Sequence, residues 1–204
     1  MKVILLLNWG IGHEILKVFH NLSDITIVKV MTRYKSNSLD EWENIVYNYS
    51  KEKGYKTINE KKVTFDMLKR YIDNNDIDLL VSHSFMKIIP KKVFNAPKKG
   101  SINIHASLLP KYRGASPTYW VLKNGENKTG LTCHYINSTV DAGDIISQKS
   151  IEVRPDDSIE TIIERQKLIV KDLILESLSN INNPNFRAVK QTNENASYAP
   201  RSSL

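Results

Sequence analysis

The apolar residues of this chain fall into two patterns: short unbroken runs, and stripes at helical spacing. Val3 to Leu7 is an unbroken run, as expected of a strand buried on both faces. Asn8 to Gly12 reads as a turn. Ile15, Leu16, Val18 and Phe19 then recur at helical spacing, and Ile25 to Met31 reads as a second buried strand. Strand, helix, strand in that order implies a right-handed parallel crossover.

The alternation continues. Leu39 to Glu52 predicts a helix whose stripe of Trp42, Ile45, Val46 and Tyr49 is expected in the core. Thr64 is a plausible cap for a helix that turns Met67, Leu68 and Ile72 inward and ends at Asn74-Asn75-Asp76. Ile77 to Ser82 is a third buried strand, followed by a loop-like segment from His83 to Pro90. Ile102 to Ile104 is the next strand, and Leu108 to Gly114 is a loop. Ser116-Pro117 predicts a helix start. The strand from Gly130 to Asn137 alternates Leu131, Cys133 and Tyr135 with Thr132, His134 and Ile136, so one face is expected to be partly polar. Ile145 to Val153 follows as a strand. Ser158 then caps a long helix whose buried side is read as Ile159, Ile162, Ile163, Leu168, Ile169, Leu173 and Leu178. Phe186 to Gln191 reads as a short last strand and Thr192 to Leu204 as a tail. The pattern predicts an α/β, Rossmann-like fold: a mostly parallel sheet with helices on both faces. Residues 1–180 are expected to form the catalytic domain and 181–204 a C-terminal extension or tail.

Composition narrows the class. A chain of 204 residues with 41% hydrophobic and 25% charged residues is ordinary for a soluble globular protein. The net charge of +7 suits an anionic substrate. Its basic pairs, Lys61-Lys62, Lys91-Lys92 and Lys98-Lys99, are scattered rather than gathered into a stripe. A nucleic-acid reader is expected to cluster them, so no nucleic-acid partner is expected. Cys133 is the sole cysteine, which excludes an intrachain disulfide, and no Cys-His spacing matches a zinc site. The opening residues are too short and too soon polar for a signal peptide or a membrane span, so a cytoplasmic protein is expected. Gly10-Ile11-Gly12 invites a dinucleotide-binding reading. It lacks the third glycine, where Ile15 stands, and the acidic residue after the second strand. Close helix packing accounts for it better.

The candidate chemistry lies between Ser101 and Gly143. Asn103 and His105, two apart in a strand, face the same way at its C-terminal end. Asp141 sits at the turn after the next strand and can return beside them. Amide, imidazole and carboxylate together could bind an oxyanion and move a proton. Each piece alone has a plain structural explanation, since Asn-x-His is common and Asp-Ala-Gly suits a turn. His134 reads as a packed or rim residue. Cys133, in mid-strand, has no feature that would lower its pKa.

The combination of Asn103-Ile104-His105, Ser107-Leu108-Leu109-Pro110, Tyr112-Arg113-Gly114 and Asp141-Ala142-Gly143-Asp144-Ile145-Ile146 resembles the folate-dependent formyltransferase family. The resemblance spans Val81 to Val153. It implies catalytic roles for Asn103, His105 and Asp141, with N10-formyltetrahydrofolate as formyl donor and no metal. It implies that two loops hold the pterin largely through backbone groups. These are Phe85, Met86, Lys87, Ile88 and Ile89 on one side, and Asn137, Ser138, Thr139 and Val140 on the other.

Three acceptors are known in that family. Its glycinamide ribonucleotide enzymes carry a Gly-x-Gly-Ser-Asn loop for the substrate phosphate, and the Ser-Asn pair is absent from Asn8 to His13 here. Its methionyl-tRNA enzymes resemble this chain at Tyr112-Arg113-Gly114 and at Ala196-Ser197-Tyr198-Ala199-Pro200, but continue into a basic tRNA-gripping domain. This chain ends about where that domain would begin, so tRNA is not the expected partner. The sugar enzymes remain, and a nucleoside-diphosphate-linked amino sugar is the expected acceptor. Trp9, Tyr112 and Arg113 are its binding candidates. A folate-binding domain without activity is the non-enzymatic alternative, and a homodimer is left open.

Overall fold

Strand and helix alternate from the first residues, as the apolar pattern predicts. The computed structural model describes residues 1–35 and 41–202. Contacts divide the chain into two units, Met1–Ile102 and Asn103–Leu204. The first unit contains β1 (Lys2–Leu7), α1 (Trp9–His20), β2 (Thr26–Thr32), α2 (Glu41–Glu52), β3 (Thr57–Asn59), α3 (Phe65–Asn75), β4 (Leu79–His83) and α4 (Lys91–Phe94). β5 (Ser101–His105) crosses the boundary. The second unit adds β6 (Arg113–Gly114), α5 (Pro117–Lys123), β7 (Lys128–Tyr135), β8 (Ile145–Glu152), α6 (Ile159–Asn182) and β9 (Tyr198–Ala199). The main sheet has the order β3-β2-β1-β4-β5-β7-β8, and β6 pairs separately with β9. The fold is α/β, a mostly parallel sheet with helices on both faces.

In the first unit β1 pairs in parallel with β2 on one side and β4 on the other, with Val3 opposite Leu79 and Leu7 opposite His83. A strand flanked on both edges and covered on both faces must be apolar throughout, and Val3 to Leu7 are fully buried. The expected turn at Asn8 to Gly12 is shorter than that. α1 already begins at Trp9, after Asn8 in extended backbone. Gly12 lies in the first turns of the helix, where a Cβ would stand 3.2 Å from the Leu7 Cβ. Close helix–strand packing is therefore the use of this glycine.

The stripe expected on α2 is core only in part. Among its described residues Val46 is buried, but Trp42 is 45% exposed, and the buried polar residues Asn44 and Ser50 share the inner side. Asn44 bridges the backbone N–H and C=O of Lys35 (3.0 Å each), and Ser50 donates to the Val46 carbonyl (2.7 Å). Satisfied polar groups inside broke the pattern. Leu39, where the helix was expected to start, lies outside the described residues. α3 is as expected: Thr64 accepts from Met67 N–H at 3.2 Å, and Asp76 ends the helix in the left-handed region.

In the second unit β7 and β8 form an antiparallel pair. α6 starts with a reciprocal cap between Ser158 and Thr161. Its expected buried side needs correction. Leu168 is 78% exposed, while Ile162, Gln166, Val170, Leu173, Ile174, Ser177 and Leu178 are buried. Gln166 and Ser177 disguise the stripe because they are polar. Gln166 donates to the Gly130 carbonyl (2.9 Å), and the Ser177 hydroxyl meets that of Ser147 (2.6 Å). The expected strand at Phe186 to Gln191 is reduced to one bridge, Val189 to Ile145. Residues read as a tail instead contain β9, whose Ala199 is fully buried. Among the described residues no helix is long and apolar enough to cross a membrane.

Candidate active site

The second unit carries the cluster read from the sequence. β5 ends with Asn103 and His105. The loop after it is fixed by Thr132 of β7, whose hydroxyl donates to the Ser107 carbonyl (2.6 Å) and accepts from Leu109 N–H (3.1 Å). β7 then delivers His134 at its own C-terminal end. The chain after it turns back through Asp141, whose φ is 50°. That turn is tight: a Cβ on Gly143 would stand 1.7 Å from the Tyr135 carbonyl oxygen.

Asp141 is the hub. Asn103 Nδ2 donates to its Oδ1 at 3.2 Å, and Gly114 N–H donates to its Oδ2 at 2.9 Å. His105 Nδ1 lies 3.4 Å from Oδ2, and His134 Nε2 lies 3.5 Å from Oδ1. Asn103 Nδ2 also stands 3.3 Å from His134 Nε2. The outer nitrogens of the two imidazoles face carbonyls: His105 Nε2 is 2.7 Å from Tyr112 O, and His134 Nδ1 is 2.8 Å from Tyr135 O. A carbonyl only accepts, so each of those nitrogens carries a proton. In the neutral rings, His105 Nδ1 and His134 Nε2 are then unprotonated and look inward. His134 Nε2 accepts from Asn103.

Burial is the largest influence on both central groups. It pushes the His105 imidazole toward its neutral form, below the ordinary histidine value, although the Asp141 carboxylate and the Tyr112 carbonyl pull the other way. At Asp141 burial opposes the charge. The neighbouring His105 and His134 and the Gly114 N–H outweigh it and hold the carboxyl well below its usual range. Asp141 is therefore an ionised, half-buried carboxylate beside a neutral imidazole, which could share a proton once the carboxylate has taken one.

The other residues singled out in the sequence fall as follows. Cys133 is buried, and desolvation pushes its thiol up to about 12, so it is no nucleophile. In the loop after β4, Met86 is exposed, Ile88 is 75% exposed and Ile89 is buried, while Phe85 and Lys87 are half-buried. Glu60 accepts from Met86 N–H at 2.9 Å, and Lys87 Nζ donates to the Val63 carbonyl at 2.7 Å. Asn137, Ser138, Thr139 and Val140 are all exposed. Trp9 opens α1 with a φ of 59°. The Tyr112 ring is buried against Val121 and Ala199, with its hydroxyl donating to Glu126 (2.8 Å). Arg113 donates from Nε to Gln191 Oε1 (3.0 Å) and from NH1 to Asn193 Oδ1 (3.2 Å). Among the described residues no group of three or more His, Cys, Asp or Glu could hold a metal.

Two contributors were not read from the sequence. The sequence pattern reads His134 as packed or peripheral. It is packed, at 2% exposure, but it also touches Asn103 and Asp141. Its signal was its place on the same strand face as Thr132, whose side chain fixes the loop after β5. Gln191 falls at the end of the expected last strand, where the sequence suggests no role for it. Its Nε2 donates to the carbonyls of Asp141 (2.9 Å) and Gly143 (2.7 Å). No local pattern announces that contact, which spans 50 residues of sequence.

Known proteins give this arrangement a context. The family model described as formyl transferase matches residues 11–178. Methionyl-tRNA formyltransferase of Enterococcus faecalis is 38% identical over 123 residues, 60% of this chain, which spans only 39% of that enzyme's length. Among solved structures, glycinamide ribonucleotide transformylase 1 of Symbiobacterium toebii superposes with a TM-score of 0.76 at 16% identity, covering 94% of each chain. An N-formyltransferase of Helicobacter canadensis, in complex with folinic acid and dTDP-3-aminofucose, superposes with a TM-score of 0.75 at 21% identity. That match covers 98% of this chain and 71% of the other. At these identities the structural likeness speaks for the fold, and the family rests on the sequence match, which takes in Asn103, His105 and Asp141. The chain belongs to the formyl transferase family, whose formyl donor is formyltetrahydrofolate.

Proposed function

We propose that this protein transfers the formyl group of N10-formyltetrahydrofolate to the amino group of a nucleoside-diphosphate-linked amino sugar. The observation that carries the transfer is the Asn103, His105 and Asp141 cluster. An attacking amine must lose a proton, and the formyl oxygen must gain negative charge. Asp141, ionised and hydrogen-bonded, can take the proton. His105 Nδ1, facing Oδ2, can then share it, giving an imidazolium held between the Asp141 carboxylate and the Tyr112 carbonyl. Asn103 carries two amide hydrogens, turned here to His134 and Asp141, and can lend one to the developing oxyanion. The exposed Val140, next to Asp141 in the chain, is an apolar surface we assign to the folate rings.

The acceptor is argued separately. Asn8 does not serve a phosphate loop. Its amide donates to Glu60 Oε2 (2.7 Å) and the Ser84 carbonyl (2.8 Å), and its carbonyl accepts from Arg33 N–H (2.7 Å). This speaks against glycinamide ribonucleotide. The net charge of +7 suits a diphosphate. Methionyl-tRNA is the second reading, favoured by the 38% identity to enzymes that bear that name.

Side-by-side assays with N10-formyltetrahydrofolate decide among them. A dTDP-linked amino sugar is expected to be formylated fastest, with glycinamide ribonucleotide and methionyl-tRNA far behind. Asn103→Ala and His105→Ala should each lower kcat by about 100-fold. Preference for methionyl-tRNA would replace the sugar, and normal turnover by His105→Ala would remove the mechanism.

A further inference from the structure

We propose that Gln191 is a positioning residue for the Asp141 carboxylate, an inference that rests on the reading of Asp141 as the proton acceptor. The turn that carries Asp141 has local bonds from Thr139 N–H to Asn137 Oδ1 (2.9 Å) and from Ala142 N–H to the Thr139 carbonyl (3.3 Å), and neither holds the carbonyls of Asp141 and Gly143. Asn137 to Val140 are exposed, and Asp141 itself is held at a φ of 50°, which a non-glycine residue keeps only when its surroundings impose it. Gln191 supplies that imposition. It is half-buried in a segment whose next four residues are exposed. Two residues earlier, Val189 is fastened to Ile145 by paired backbone bonds of 2.8 Å each.

The orientation of its amide is set by the partners. Arg113 Nε is a donor, so the atom it meets at 3.0 Å must be the carbonyl oxygen of Gln191. That leaves both Nε2 hydrogens for the two main-chain carbonyls on either side of Ala142, those of Asp141 and Gly143. Gly114, the residue after Arg113, meanwhile donates its N–H to the carboxylate. Asp141 is thus gripped at its backbone by Gln191 and at its side chain by Gly114, and Arg113 links the two grips. A carboxylate that must meet both an amine and His105 Nδ1 needs this control, because sub-ångström misplacement of a reacting group costs rate.

Gln191→Glu separates positioning from mere packing. It keeps an acceptor for Arg113, removes both donors, and sets a carboxylate oxygen against two carbonyls. We expect kcat to fall by about 10-fold or more, with KM for formyltetrahydrofolate and for the acceptor within about twofold of wild type. The acid limb of the kcat–pH profile should shift, and the melting temperature should stay near wild type. Gln191→Met, similar in size and without donors, should behave alike. Asn193→Ala, which removes only an outer partner of Arg113, should leave all of these unchanged. Asp141→Asn is measured beside them. If it loses activity while both Gln191 variants keep wild-type kcat, the positioning role is wrong. Parallel loss of stability and of KM in both variants would also overturn it, as a structural effect. Should Asp141→Asn itself remain active, the role given to Asp141 falls instead.

Discussion

A buried imidazole beside a carboxylate makes the site sensitive to acid, and His105 sets the first window. Its folded pKa lies below 6.5, so below that value the unfolded chain holds the extra proton and stability falls with pH until the folded pKa is reached. Asp141 acts in a lower window. Its folded pKa is below 3.8, so its contribution is complete above that value and is lost as pH falls toward the folded pKa. Urea unfolding followed from about pH 7 down to about pH 5 should therefore lose midpoint steadily in the wild type and less steeply in His105→Asn. Equal slopes would mean that His105 does not stay neutral in the folded protein. His134 lies beside both Asn103 and Asp141.

The elements that matter are the ends of strands and the turns after them. Gly143 is the sharpest case, because an added Cβ would collide with the Tyr135 carbonyl and the turn would have to open. Gly143→Ala should lower kcat on the order of 100-fold by shifting Asp141, two residues away, with a lowered melting temperature but the circular dichroism of a folded protein. Unchanged turnover would show that the turn has slack. Most of the elements were legible in the sequence because burial on both faces leaves unbroken apolar runs, as at Val3 to Leu7. Asn103, His105 and Asp141 were legible because strand alternation and one turn bring them together. Legibility failed where polar side chains are buried with partners. Gln166 and Ser177 hid the inner side of α6, Asn44 and Ser50 hid that of α2, and His134, rightly read as packed, concealed its contacts with Asn103 and Asp141. It failed again where partners are remote, as for Gln191 and β9, whose pairings no local periodicity encodes.

Charge belongs to the whole molecule. Most of the surplus of basic over acidic residues lies in Met1–Ile102, the unit that holds α1 and the loop after β4. If the acceptor is a nucleoside diphosphate, its KM should rise between low salt and about 0.5 M salt, with kcat little changed, since screening weakens attraction to exposed charges. A flat KM would show that net charge has no part in acceptor binding. The pairing of β6 with β9 joins Arg113 to Tyr198 and Gly114 to Ala199, and it bears on time as well as space. A chain made from its N-terminus has completed Asn103, His105 and Asp141 well before the residues around Gln191 and Ala199 exist. On the ribosome the reacting groups are present before the segment that aims them. With Gln191 as its positioner, Asp141 is aimed only once residues 50 positions further along the chain have been made.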